Sequence, residues 1–221
     1  MSVLGLVLPR RCAGCAVPGP VLCERCLDAL VRIAPPVCER CGCPGAWPVR
    51  RCVECGGRRL AFARARAAVV YEARARSIVS AWKERGRRDL APVLAELVGD
   101  VVARPAVDAL VAVPGDRERS RARGHVPAGR LAEALGAVWH VPVEPLLART
   151  AATGRRQTGL PRSERRTNVR NAFRALGEAP ARIALVDDVY TTGATGSACA
   201  SELRRAGARH VEVICLARAV R

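Results

Sequence analysis

The stretch Ile183 to Gly196, IALVDDVYTTGATG, decides the fold. Its four leading apolar residues, Ile183 to Val186, make a short buried strand that runs straight into Asp187 and Asp188. Acids delivered at the carboxyl end of a buried strand stand where open parallel sheets form their ligand crevices. A hydroxyl-rich turn follows, in which Thr191, Thr192 and Thr195 supply hydroxyls and Gly193 lets the backbone come close to a ligand. The helix that begins near Thr195 aims its first amide hydrogens at any anion held in the turn. Carboxylates repel phosphate, so Asp187 and Asp188 are expected to face sugar hydroxyls or a bound Mg²⁺, while the donors beyond them take a phosphate. A nucleotide-triphosphate loop would need Gly-x-x-x-x-Gly-Lys-Ser/Thr, and the chain's one lysine, Lys83, lies outside any such run. An ordinary buried strand followed by a capped helix does not call for two acids and three threonines around a glycine.

Working outward, the same grammar repeats. Val211 to Leu216 is a second apolar run, separated from the first by a helix from about Thr195 to Ala206. Upstream, Asp108 to Val113 (DALVAV) reads as a buried strand ending at Pro114, and Val126 to Val138 as a helix with Leu131 and Leu135 facing inward. Ala67 to Tyr71 is another short apolar run; Ile78, Val79 and Trp82 then fall at helical spacing, and a further helix covers about Leu90 to Ala103. Strands alternating with helices predict an α/β fold with a parallel sheet covered on both faces. Arg149 to Arg174 carries eight arginines against the single acid Glu164 and reads as a mobile basic loop.

Residues 1–60 have a different texture. Nine of the eleven cysteines lie between positions 12 and 55, and eight of them form Cys-x-x-Cys pairs: Cys12/Cys15, Cys23/Cys26, Cys38/Cys41 and Cys52/Cys55. Two such pairs complete a tetrahedron around one zinc ion, so four pairs make two structural Zn²⁺ sites. Adjacent pairing and interleaved pairing both satisfy the spacing, and Cys43 is a ninth thiol that either competes for a ligand position or stays free. The competing reading, a disulfide-rich secreted module, would call for an export signal. With little periodic apolar patterning in this segment, metal is expected to stand in for a hydrophobic core. Four sulfurs per ion leave no coordination position open for a reactive water, so any chemistry belongs to the second domain, residues 61–221.

The whole chain has 221 residues, 37 Lys plus Arg against 20 Asp plus Glu, and a formal net charge of +17. Eight thiolates and two divalent ions would add minus eight and plus four, leaving the chain basic at about +13. Half the residues are apolar, which excludes wholesale disorder. No apolar run reaches the roughly 18 residues of a membrane-spanning helix. Ser2 to Leu8 is apolar but short and runs into Pro9, Arg10 and Arg11, unlike a secretion signal, so a cytoplasmic location is expected.

The segment from Ile183 to Gly196 resembles the signature of type I phosphoribosyltransferases, which bind phosphoribosyl pyrophosphate (PRPP) with Mg²⁺. Other motifs narrow the likeness: the paired cysteines, Tyr71-Glu72, Trp82-Lys83-Glu84-Arg85-Gly86-Arg87, and Gln157-Thr158-Gly159-Leu160 with Arg162, Arg165, Asn168 and Ala172-Phe173. Together they resemble the ComF family of competence-associated proteins over Cys12 to about Arg218. That resemblance implies a double zinc ribbon over residues 1–60 and a phosphoribosyltransferase-like domain over residues 61–221. It implies that Asp187 and Asp188 meet the ribose hydroxyls as the catalytic pair, and that the turn holds the 5′-phosphate through Tyr190, Thr191, Thr192, Gly193, Ala194 and Thr195. It also implies a pyrophosphate site in Val111 to Gly124 (VAVPGDRERSRARG), where Arg117, Arg119, Arg121 and Arg123 offer guanidinium forks. Where the family continues with Phe-Asn-Gln, this chain has His125-Val126-Pro127, a departure that favours binding over turnover. Were the site catalytic, arginines and Mg²⁺ would stabilise pyrophosphate leaving an oxocarbenium-like ribose. No acceptor pocket is legible.

A second class of function is nucleic-acid binding without chemistry. Arginine-rich zinc ribbons neutralise phosphates, and the family's link to natural transformation and DNA uptake implies single-stranded DNA and a DNA-uptake helicase as partners. Trp47 is the single aromatic within the cysteine region, so weak, salt-sensitive, sequence-indifferent binding is expected, with Arg50, Arg51, Arg58 and Arg59 contributing. Cys199 and Cys215 read as core residues.

Overall fold

A computed structural model describes residues 10–116, 124–150 and 172–220 of the chain. The basic stretch expected to be a mobile loop and the four arginines of the expected pyrophosphate turn fall mostly or wholly in the two gaps, and so lie outside the described residues.

The apolar runs form the strands of one parallel sheet: β1 (Ala65–Val70), β2 (Ala109–Ala112), β5 (Arg182–Tyr190) and β6 (His210–Arg218), in the spatial order β1-β6-β5-β2. Between them run α2 (Ala73–Glu84), α3 (Ala91–Val101), α4 (Pro127–Trp139) and α5 (Ala194–Arg205). Strand β5 is nine residues long, where apolarity alone marked four. Its polar end stays extended because β6 keeps pairing with it, Asp187 opposite Cys215 and Tyr190 opposite Arg218.

Alternation along β5 sends its side chains to two different cores. Ala184 and Val186 pack with Ile78 and Trp82 of α2, Leu94 and Val98 of α3, and Leu131 and Leu135 of α4. Ile183 and Leu185 pack with Cys199 and Leu203 of α5 on the opposite face. Three helices therefore cover one side and one helix the other. The expected inward residues Leu131 and Leu135 are fully buried, as are Cys199 and Cys215. His140 ends α4 in the left-handed conformation, φ 52°, which gives that histidine a structural place.

The cysteine-rich segment does more than precede the sheet. Apart from the short helix α1 (Glu24–Asp28) it is irregular, and it forms two knuckles. Cys12, Leu22, Cys26 and Leu30 join the core of α2 and α3, whereas Cys38, Cys41, Cys55 and Phe62 join the core on the α5 side. Between the knuckles the chain crosses the sheet edge: Ile33 N–H donates to the Ala68 carbonyl and Val70 N–H to the Val31 carbonyl, both at 2.8 Å. This contact covers the edge of β1, an unpaired strand otherwise open to association. The expectation that metal replaces a core here is thus corrected, because the knuckles share the two cores of the sheet.

The opposite edge is also occupied. Leu110 N–H donates to the Pro142 carbonyl at 2.8 Å and Glu144 N–H to the Leu110 carbonyl at 2.9 Å. Two short antiparallel strands follow, β3 (Leu147–Arg149) and β4 (Phe173–Ala175), at the two ends of residues 150–172. They are three residues each, too short for periodicity to reveal.

Candidate functional site

The carboxyl end of β5 turns into α5 within three residues, and Gly193 makes the turn. Its φ is +74°, the left-handed region that an L side chain rarely adopts. A Cβ at this position would also collide with the Tyr190 hydroxyl. Tyr190, expected to contact a ligand, is turned inward: its ring packs edge-on to Phe62, with centroids 6.3 Å apart, and stacks under the Arg218 guanidinium at 4.6 Å. It is the floor on which the turn rests.

Around this turn lies a small cavity lined by Asp187, Tyr190, Thr191 and the first turn of α5 from Gly193 to Gly196. Thr191 is exposed and Thr195 half-buried at its wall. The Thr192 hydroxyl accepts the Ala194 amide at 3.4 Å and so serves the start of the helix. Residues 191–195 thus stand at the positive end of a twelve-residue helix, a setting that favours an anion.

The two acids divide between the faces of the sheet. Asp187 continues the row of Ile183 and Leu185 and lines the cavity. Its Oδ1 accepts the Asp188 amide at 2.9 Å. Burial, then the neighbouring Asp188 carboxylate, pushes the Asp187 carboxyl up to about 7, against the pull of that amide and of Lys83. Asp188 continues the row of Ala184 and Val186 toward α2, is 9 % exposed, and forms an ion pair with Lys83 Nζ at 2.7 Å. Lys83, the sole lysine, enters the sequence reading within Trp82-Lys83-Glu84-Arg85-Gly86-Arg87, a motif that gives it no partner and no place beside the acids.

These positions decide how the expected Mg²⁺ fits. A resident Mg²⁺ needs ionised oxygens in near-octahedral array. Asp188 is taken by an ammonium, and one Asp187 oxygen by an amide on a carboxyl drawn toward protonation. The donor set does not fit a Mg²⁺ ion held by the pair itself.

The two Cys₄ groups do fit a metal. Cys12, Cys15, Cys23 and Cys26 form one and Cys38, Cys41, Cys52 and Cys55 the other, with all sulfurs of a group within 4.8 Å of one another. Adjacent pairing is the arrangement adopted. Sulfur separations of 3.6 Å for Cys12–Cys23, 3.7 Å for Cys38–Cys55 and 3.5 Å for Cys41–Cys52 approach the edge of about 3.8 Å expected for a tetrahedron of zinc–thiolate bonds. Cys43 stands outside both groups, and all eleven cysteines are unbridged. Burial would raise the Cys12 thiol, but amides of Cys23, Cys15 and Gly14 bring it down to about 6. Cys38 is likewise lowered to about 7 against burial, by the amides of Cys41, Cys52 and Arg40, while burial lifts Cys26 to about 12. One sulfur per group is thus prepared as a thiolate.

The second knuckle braces the ligand turn. Arg58 Nη1 donates to the Thr192 carbonyl at 2.9 Å, and the Ser197 hydroxyl accepts the Ala61 amide at 3.0 Å. Arg218, 1 % exposed, donates to the Cys41 carbonyl at 2.7 Å and to its sulfur at 3.4 Å, and pairs with Glu54 at 2.7 Å. Its cation lies between a thiolate group and the Tyr190 ring, and nothing in the sequence singled it out. In this knuckle Trp47 is 72 % exposed, and Arg50, Arg51 and Arg59 are exposed as well. His125 is buried at the start of α4, on the wall of a larger concavity with Pro114, Glu144 and Arg149. Among the described residues no helix is long and apolar enough to cross a membrane.

No protein-family model matches the chain. Among curated proteins it is similar to the DNA utilization protein YhgH of Salmonella typhi, 31 % identical over 231 residues that span 96 % of this chain and 99 % of that one. The YhgH protein of Escherichia coli strain K12 is 29 % identical over 226 residues, with the same coverage. Competence protein F of Haemophilus influenzae is 34 % identical over 116 residues, 51 % of each chain. Among solved structures, the allosteric regulatory enzyme of purine biosynthesis matches 58 % of this chain at 22 % identity and a TM-score of 0.40. The glutamine PRPP amidotransferase of B. subtilis matches 58 % at 23 % identity and 0.38. The chain spans 25 % and 26 % of the lengths of those two structures.

Two outcomes follow from the site. Because the folded Asp187 carboxyl is raised toward about 7, the folded state holds more protons than the unfolded one between about pH 4 and 7, and stability falls as pH rises through that window. Asp187→Asn removes this dependence, so in urea melts its stability relative to the wild type should rise between pH 4 and pH 8, by up to about 4 kcal/mol. An equal effect at both pH values would contradict the assignment. A thiol-reactive mercurial should release two zinc ions per chain and lower the melting temperature of the whole domain by about 10 °C or more, because the knuckles share its cores. Release of no metal, or an unchanged melt, would contradict it.

Proposed function

The chain belongs to the ComF family, together with the YhgH DNA utilization proteins, and from that premise we propose that it binds PRPP or a related ribose 5-phosphate in the service of DNA uptake or DNA metabolism. The observation that carries this reading is the pairing of opposite demands at one strand end. Asp187 offers oxygens to sugar hydroxyls on one wall of the cavity, and the amides and hydroxyls of Thr191 to Thr195 offer hydrogens to a phosphate on the other. Residues Gly193 and Tyr190 hold the two walls at a fixed separation, so the ligand meets a preformed site. Two zinc ions in the Cys₄ groups would hold the knuckles against the sheet, and through Arg58 and Arg218 hold the turn. Asp188 is positioned through Lys83, so its part in ligand binding runs through that pair.

A second reading is favoured by one observation, the exposure of the Trp47 indole and of Arg50 and Arg51 on the same short segment. An aromatic face next to guanidinium groups suits a single nucleic-acid strand, where stacking is worth about 1–3 kcal/mol per base and arginines track the phosphates. This surface and the sugar-phosphate cavity use different residues, so a chain could carry both.

One crossed titration separates them. Calorimetry with ribose 5-phosphate and with PRPP, and fluorescence anisotropy with an oligo-dT strand, are measured on the wild type, Asp187→Asn and Trp47→Ala. Asp187→Asn should weaken both sugar phosphates by about tenfold or more and leave oligo-dT unaffected; Trp47→Ala should do the reverse. Unchanged sugar-phosphate affinity in Asp187→Asn would refute the first reading, and unchanged oligo-dT affinity in Trp47→Ala the second.

A further inference from the structure

Lys83 sits in the last turn of α2, where the carbonyl end of a helix favours a cation. Every other basic side chain among the 37 lysines and arginines is an arginine. A guanidinium is a broad planar fork, whereas an ammonium is a compact point charge of three donors, close in size and role to a small hydrated cation. Its Nζ lies 2.7 Å from Asp188 Oδ1, and the pair is largely screened from solvent, with side chains 29 % and 12 % exposed.

We propose that the Lys83 ammonium is a tethered counter-ion of the acidic pair, filling beside Asp188 the place a divalent cation would take. The ribose of a sugar phosphate is then engaged at this strand end without a metal ion resident on Asp187 and Asp188. The cation half of this inference stands on the Lys83–Asp188 geometry. The ribose half rests on the proposed function. With Lys83 in place the two acids carry one fixed positive charge, and Asp188 is oriented toward α2, leaving Asp187 to the cavity. Without it, the Asp188 carboxylate is left unneutralised on the α2 side with the Asp187 charge close behind it, and a divalent ion becomes its best partner. Lys83 is in this sense a positioning residue, and its substitution should change which cation the site holds.

The test uses the full chain with its Cys₄ groups loaded and Mn²⁺ alone as the probe, read by the paramagnetic resonance of the free ion. Wild type and Lys83→Arg, which keeps the charge, should show no stoichiometric Mn²⁺ site at the acidic pair. Lys83→Met should gain one, at least about tenfold tighter than any wild-type binding, and adding Asp188→Asn should abolish it. A wild-type Mn²⁺ site that Asp188→Asn removes, or no gain in Lys83→Met, overturns the proposal. Should Lys83→Met not fold, nitrogen-15 lysine labelling of the wild type gives a single ammonium resonance. The proposal expects that resonance to shift on Asp188→Asn and to survive equimolar Mn²⁺; a resonance indifferent to Asp188→Asn, or broadened away by Mn²⁺, overturns it. Ribose 5-phosphate should bind wild type with the same affinity, within about twofold, in EDTA and in Mg²⁺. Its failure to bind at all, with the Mn²⁺ pattern intact, would refute the ribose-phosphate reading and leave the tethered cation standing.

Discussion

A single left-handed residue, Gly193, lets a strand that ends in carboxylates meet a helix that begins in amide hydrogens. Three residues separate Tyr190 from the start of α5, and with φ at +74° the chain reverses sharply enough to set the last acids of β5 beside the first turn of the helix. A carboxylate and the first turn of a helix thereby line one small cavity. Neither wall alone selects a ligand: a helix terminus takes any anion, and a carboxylate any hydroxyl or cation. The proposed function rests on their juxtaposition, which suits a molecule with hydroxyls at one end and phosphate at the other.

The rest of the molecule can be understood as support for that turn. Tyr190 fills the space below Gly193 and is itself held by Phe62 and the Arg218 cation. Arg218 is anchored to Cys41 and Glu54 of the second knuckle, and Arg58 from the end of that knuckle fastens the Thr192 carbonyl. A knuckle that contributes core on the α5 side, an edge contact on β1, Arg58 to the turn and an anchor for Arg218 explains physically why a metal-binding segment is joined to this sheet. The first knuckle plays the matching part on the other face, around α2, whose last turn carries Lys83.

Much of this was legible in the sequence because its signals are local. Cys-x-x-Cys spacing marks the two Cys₄ groups, four apolar residues before Asp187 mark a strand, and the glycine after the threonines marks the tight turn into a helix. What sequence reading missed was set by tertiary contact. Strand β5 keeps its register with β6 through Tyr190, so its polar half is strand although it lacks apolar residues. Tyr190 lines the cavity, and its ring also packs against Phe62 and under the Arg218 cation, contacts between residues far apart in the chain that the motif itself does not reveal. Asp187 and Asp188 read as one unit but lie on opposite faces, a direct consequence of the two-residue period of a strand. Lys83 lies 105 positions before Asp188 in the chain, and only the packing of α2 against the sheet brings them together. A separation of 177 positions likewise hides Arg218 from Cys41. The arginines from 117 to 123 lie outside the described residues, and their role remains that of the resemblance alone.

The most direct measurement is a crystal structure of the full chain grown with ribose 5-phosphate in the absence of divalent ions other than zinc. The account places the phosphorus within hydrogen-bonding reach of the amides of residues 191–195, a ribose hydroxyl on Asp187, and Lys83 still on Asp188. Density for the sugar phosphate on the arginine-rich surface with the turn vacant, or a ligand oriented with its phosphate toward Asp187, would contradict it.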